Sequence, residues 1–102
     1  MKKYNVIVSD LAAKEFTNHT AFLSNVSKSA AKDLKERMLE ALRSLEDMPN
    51  RFPFFQEPYI PANKYHKMYV QNWYLVLYQV KDDTVYVDYI LDCRQDYTWL
   101  VK

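Results

Sequence analysis

The hydrophobic period of this chain changes once, near Lys64, and that change restricts the fold more than any other feature. Before it, apolar residues recur at the three- and four-residue spacing of an amphipathic helix. After it they alternate, as in half-buried strands. The strongest helical signal runs from Ala31 to Leu45. Ala31, Leu34, Met38, Ala41, Leu42 and Leu45 share one face, and Lys32, Asp33, Lys35, Glu36, Glu40 and Arg43 lie on the other. Pro49 is expected to end this helix. A first helix is expected over about Leu11 to Asn25, with Asp10 as its cap and Ala12, Phe16, His19, Leu23 and Val26 on its apolar side. Ser27-Lys28-Ser29 separates the two and supplies the second cap, so the helices form an antiparallel hairpin.

Strands account for the rest. Tyr4–Ser9 is short and β-branched. Lys64–Gln71, Trp73–Val80 and Thr84–Leu91 alternate, and Asn72 and Lys81-Asp82-Asp83 supply turns between them. The order is β-α-α-β-β-β, an α+β fold with a helix hairpin on one face of a mainly antiparallel sheet, within a single domain spanning residues 1–102. The other face is expected to be open, or open until a partner covers it. Between helices and meander, Asn50–Asn63 carries Pro53, Pro58 and Pro61, which forbid a long helix or a central strand. Its Phe52, Phe54, Phe55 and Tyr59 are heavy apolar anchors, fitting either a plug for the core or a functional loop.

Composition removes several classes of function. The chain has no glycine, which excludes the glycine-rich loops that cradle phosphates or dinucleotides. Two histidines and one cysteine argue against a structural zinc site, and no cofactor is expected. A lone Cys93 forms no intramolecular disulfide. With no apolar run of signal-peptide or membrane-spanning length, it points to the cytoplasm. The formal net charge of +1 lacks the excess of a typical nucleic-acid binder.

Chemistry-bearing residues collect at the ends of the meander. Arg94 follows the last strand and Tyr97 lies three residues on; His66 and Lys67 occupy the first meander strand on opposite faces; Lys64 and Arg51 can add charge. Arginine, histidine, lysine and tyrosine without a metal suit transfer at an RNA phosphodiester. His66 or Tyr97 would serve as base or acid, and Arg94 would supply a fork for phosphate oxygens. The same residues admit plainer roles. A strand histidine is commonly a half-buried structural residue, His19 reads as one, and Arg94 can pair with Asp92 or Asp96.

The segment Tyr65–Val101, "YHKMYVQNWYLVLYQVKDDTVYVDYILDCRQDYTWLV", resembles the carboxyl-terminal half of the RelE/ParE superfamily of bacterial toxins. Tyr74–Val80 and Arg94-Gln95-Asp96-Tyr97 fill the places of that family's aromatic strand and arginine-bearing tail, and Ser44–Pro53 resembles the end of its second helix. The resemblance implies the toxin of a type II toxin–antitoxin pair, blocked by a cognate antitoxin. It implies one of two activities: a ribosome-dependent messenger RNA endoribonuclease of the RelE kind, or a non-enzymatic ParE-like inhibitor of DNA gyrase. A degenerate member that only binds its antitoxin is a third reading. Carried onto this sequence, the nuclease site comprises Arg94, His66, Lys67 and Tyr97, with Lys64 and Arg51 binding substrate. Departures from the pattern are Leu75 where an arginine is usual, Met68 in the lysine-bearing strand, and Cys93 where a glycine usually precedes the arginine.

Overall fold

In the computed structural model, described over residues 3–93, the order of elements is β1 (Asn5–Val8), α1 (Asp10–Val26), α2 (Lys28–Ser44), a 3-10 turn (Pro49–Arg51), β2 (His66–Val70), β3 (Tyr74–Lys81) and β4 (Thr84–Asp92). The sheet order is β1-β4-β3-β2, with β1 parallel to β4 and the other pairs antiparallel. This is the expected α+β arrangement. No helix among the described residues is long and apolar enough to cross a membrane.

Ser9, rather than Asp10, caps α1. Its Oγ accepts from the Ala12 N–H at 3.0 Å and donates to the Asp88 carbonyl at 3.1 Å. Asp10 instead places its charge in the first turn, at the positive end of the helix dipole. Ser27 is a one-residue joint that ends α1 and caps α2. Val26, expected on the apolar face, sits beside that bend and is 75% exposed. α2 buries the face the sequence indicates, with Leu34 and Met38 fully enclosed. It stops at Ser44, before Pro49 is reached. Pro49 instead opens the 3-10 turn, where its missing N–H costs nothing.

The hairpin lies on one face of the sheet. Ala12, Leu34, Met38 and Leu45 pack there against Met68, Val70, Tyr74, Val76, Tyr78, Val85, Val87 and Ile90. The alternation in β4 changes phase partway. A bulge opposite Leu77/Tyr78 inserts Asp88, so that Val85 and Val87 face the helices before it and Ile90 does so after it.

The second face is not left open as expected. Phe55 and Ile60, with Tyr59 beside them, cross it and form a smaller core with Tyr65, Leu75, Leu77 and Leu91. The crossing is pinned at the β2 edge. The Phe55 N–H donates to the Tyr65 carbonyl at 2.7 Å, and the Lys67 N–H donates to the Pro53 carbonyl at 2.9 Å. Prolines keep the segment from being a helix or a full strand, and its aromatic rings fasten it down.

Without glycine, the turns use other residues in the left-handed region: Met48, Asn63, Gln71, Asn72 and Asp82 all have positive φ. Asn and Asp tolerate this conformation well, whereas Met does not. Met48 is 60% exposed, so its side chain recovers little by burial. Met48→Gly is expected to raise stability by about 1 kcal/mol. Phe55→Ala is expected to cost about 3 kcal/mol. Urea melts check both, and a neutral Phe55→Ala would mean that the segment across the second face is not part of the core.

Candidate functional site

β2 sets the geometry of the candidate site because its side chains alternate. His66 points to the helix side and Lys67 to the opposite side, opposite Leu77 and then Tyr89 in the pairing register. His66 is only 6% exposed. Its Nδ1–H donates to the Phe52 carbonyl at 2.7 Å. Its ring stacks between Phe54, at 4.3 Å between centroids, and Tyr78, at 5.1 Å. Tyr78 Oη donates to the Pro49 carbonyl. Burial pushes the Tyr78 phenol up to about 12, with the Arg51 cation opposing the shift. The Arg51 guanidinium lies 4.8 Å over the Phe52 ring, and its Nη1 donates to the Asp47 carbonyl at 3.4 Å. Two backbone carbonyls of the 49–52 segment are thus satisfied by side chains of the sheet. His66 is a strut between the sheet and this segment.

The opposite side carries Lys67, Lys64 and a polar aromatic cluster. The Lys64 ammonium sits 5.3 Å over the Tyr65 ring, and Tyr65 meets Tyr89 edge-on at 5.9 Å. The bulge residue Asp88 accepts from Gln79 Nε2 at 2.7 Å. Burial raises the Tyr65 phenol to about 12, reinforced by the Asp88 carboxylate and by Tyr89. Neither Tyr65 nor Tyr78 therefore carries a proton that leaves readily near neutral pH.

Among the sequence candidates, Arg51 and His66 are brought into one cluster through Phe52 and Tyr78. Lys67 lies across the sheet from His66, and Lys64 lies beside Tyr65. Arg94 and Tyr97 lie outside the described residues. Met68 is buried under the helices, and Leu75 is buried in the second core. Among the described residues, no three histidine, cysteine or carboxylate side chains gather as a metal site would require.

Sequence reasoning missed a contact on the far edge of β4. β1 ends at Val8, and α1 continues its role beyond that point. Glu15 accepts from the Ile90 N–H at 2.9 Å, and His19 Nε2 donates to the Ile90 carbonyl at 2.9 Å. His19 also meets the Tyr74 ring at 5.5 Å, in keeping with a structural role. The i, i+4 spacing of Glu15 and His19 on a helix beside a strand was the available signal.

Comparison with known proteins places this architecture. The sequence matches the family described as ParE toxin of type II toxin-antitoxin system, parDE, over residues 6–97, and the chain belongs to that family. A solved structure titled "Chromosomal ParDE TA system from P. aeruginosa" shares the fold. It has a TM-score of 0.70 and 12% sequence identity, covering 88% of this chain and 96% of that one. None of the curated proteins matches.

Burial raises the Glu15 carboxyl above its ordinary value of 4.5, while the Ile90 N–H and nearby His19 oppose the shift. The folded chain therefore holds this proton more tightly than the unfolded one. The associated stability is fully present below the unfolded value and is lost as pH rises through the folded one. Glu15→Gln keeps an acceptor for Ile90 but does not titrate. Wild type is expected to lose stability relative to Glu15→Gln as pH rises from 4.5. Paired urea melts across that range check this, and a constant difference contradicts it.

Proposed function

We propose that this chain is a toxin that inhibits DNA gyrase by binding it, held in check by a cognate antitoxin, and not a messenger RNA endoribonuclease. The observation that carries the reading is the position of His66. The nuclease reading needs a base or acid reachable by a ribose hydroxyl or a leaving oxygen. His66 is enclosed between Phe54 and Tyr78, its Nδ1–H is engaged by Phe52, and Lys67 is on the other side of the sheet. Leu75 and Met68, which stand where bases are usual in the nuclease branch, are core residues. The net charge of +1 also suits a protein target better than a long polyanion.

In this reading Arg94 is a partner contact, because a guanidinium fork matches a carboxylate as well as a phosphate. Lys64 and Lys67 contribute charge on the same side of the sheet as Tyr65. The test is a supercoiling assay with purified gyrase and purified chain, run beside a translation extract in which messenger cuts are mapped. Supercoiling is expected to fall at molar excess of the chain, Arg94→Ala is expected to weaken the effect roughly tenfold, and translation-dependent cuts are expected to be absent. Unchanged supercoiling together with messenger cuts would establish the nuclease reading instead.

A further inference from the structure

β1 is an open edge of the sheet. The Asn5 N–H donates to the Asp83 carbonyl and the Ser9 N–H to the Val87 carbonyl, both at 2.9 Å, so the odd-numbered residues of this stretch address β4. Backbone groups alternate along a strand, and those of Val6 and Val8 therefore face outward. Their outward N–H and C=O groups bond no described residue. The other edges are dressed. α1 takes the upper part of β4 through Ser9, Glu15 and His19, and the Pro53–Phe55 segment takes part of β2. Asn5–Val8 has no charge and no proline to keep it single. Val6 and Val8 turn their side chains to the helix layer, so Ile7 stands on the second face, opposite Tyr86 in register. Ile7 is 50% exposed and Tyr86 37%. Leu11, one turn before Glu15 on the same side of α1, extends this apolar strip and is exposed.

We infer that a second copy of the chain adds to this edge, β1 against β1 in antiparallel, about a two-fold axis through Ile7. Val6 and Val8 of one copy then exchange backbone bonds with Val8 and Val6 of the other, and the two Ile7 side chains meet in a non-hydrogen-bonded pair. The edge is its own complement: each outward residue offers one donor and one acceptor to an identical residue, and an uncharged apolar strand meets another. Isologous two-fold pairing of this kind is the commonest form of oligomer. The charges at the two ends also match. Lys3, Glu46 and Asp47 lie at one end, with Lys3 paired to Asp47 at 2.9 Å; Asp10 and Lys14 lie at the other. Antiparallel pairing sets one end against the other. Rises of roughly 3.3 Å per strand residue and 1.5 Å per helix residue put Lys3 and the second copy's Lys14 at the same height, roughly 13–14 Å from the axis. That lysine meets an end where Lys3 alone offsets two carboxylates, and the second copy's Asp10 falls beside Lys3. Asp83 lies on the β4 side of the strand, away from the contact. A four-residue strand pair is a small contact, of the class below about 1,200 Å², so the association is weak and concentration-dependent. The inference is independent of the gyrase reading.

The experiment is sedimentation equilibrium of the purified chain from about 10 to 500 µM, the range in which small contacts of this class assemble. Wild type is expected to rise from monomer toward dimer. Ile7→Lys and Ile7→Glu alone are each expected to weaken association by about fivefold or more, because like charges then face each other across the axis. An equimolar mixture of the two is expected to recover to within about threefold of wild type, since position 7 then pairs opposite charges. Leu39→Lys, at an exposed site on α2, is the control and is expected to change association by less than about twofold. If circular dichroism shows either position 7 variant unfolded, Ile7→Cys in a Cys93→Ser background is read in its place. Oxidation is expected to join it into a covalent dimer, and to leave Leu39→Cys in the same background mostly monomeric. A wild type that stays monomeric, as it would if the edge receives a strand only from a different protein, overturns the assignment. So do equal losses in the Ile7 and Leu39 variants, or a mixture that recovers nothing.

Discussion

Strand β4 lies inside the sheet between β1 and β3, and the way its outer edge is closed organises the rest. One edge pairs with β3 along its length apart from the bulge at Asp88. The other pairs with β1 only as far as Val87, and beyond that point its polar groups need partners. α1 provides them from side chains. Ser9 takes the Asp88 carbonyl, and Glu15 and His19 take the two backbone groups of Ile90. The helix is thereby fixed in register with the strand, and the hairpin must then lay its apolar face on Val85, Val87 and Ile90. An uncovered strand edge would also invite pairing with another chain, which the side-chain contacts along this stretch prevent.

The same need to satisfy backbone groups explains the candidate site. The segment that leads from the helices to the second face carries carbonyls at Pro49, Phe52 and Pro53, and these are met by Tyr78, His66 and the Lys67 N–H. A histidine engaged in this way stabilises the fold as part of a stacked column with Phe54 and Tyr78, and its Nδ1–H is committed to the Phe52 carbonyl. Other cationic side chains among the described residues are more accessible, with Lys64 exposed and Lys67 half-buried on the opposite side of the sheet. A protein with those features is equipped to bind other proteins, in keeping with the proposed inhibition by contact.

Much of this was legible in the sequence. The six apolar residues that share one face between Ala31 and Leu45 determined the buried face of α2, since one amphipathic stripe admits one orientation. Strict alternation in Lys64–Gln71 was enough to put His66 and Lys67 on opposite faces. What alternation does not convey is which face a helix will cover, so the burial of His66 was not apparent. The bulge at Asp88 was hidden for a related reason. An inserted residue reverses the phase of a strand without leaving a mark in composition. The prolines of Asn50–Asn63 told what that segment is not, but its path over Leu75 and Leu77 depends on contacts distant in sequence. Arg94 and Tyr97 remain readings from the sequence, because they lie outside the described residues.

The most direct test of the account is the state of the His66 imidazole, observed by nitrogen-15 NMR of the folded chain together with its reactivity toward diethylpyrocarbonate. The account predicts the Nδ1–H tautomer, slow exchange of that proton, and resistance to modification until the protein unfolds. An Nε2–H tautomer with rapid exchange and ready modification would show an accessible imidazole, and would contradict the view that His66 braces the fold and leaves function to the exposed surfaces.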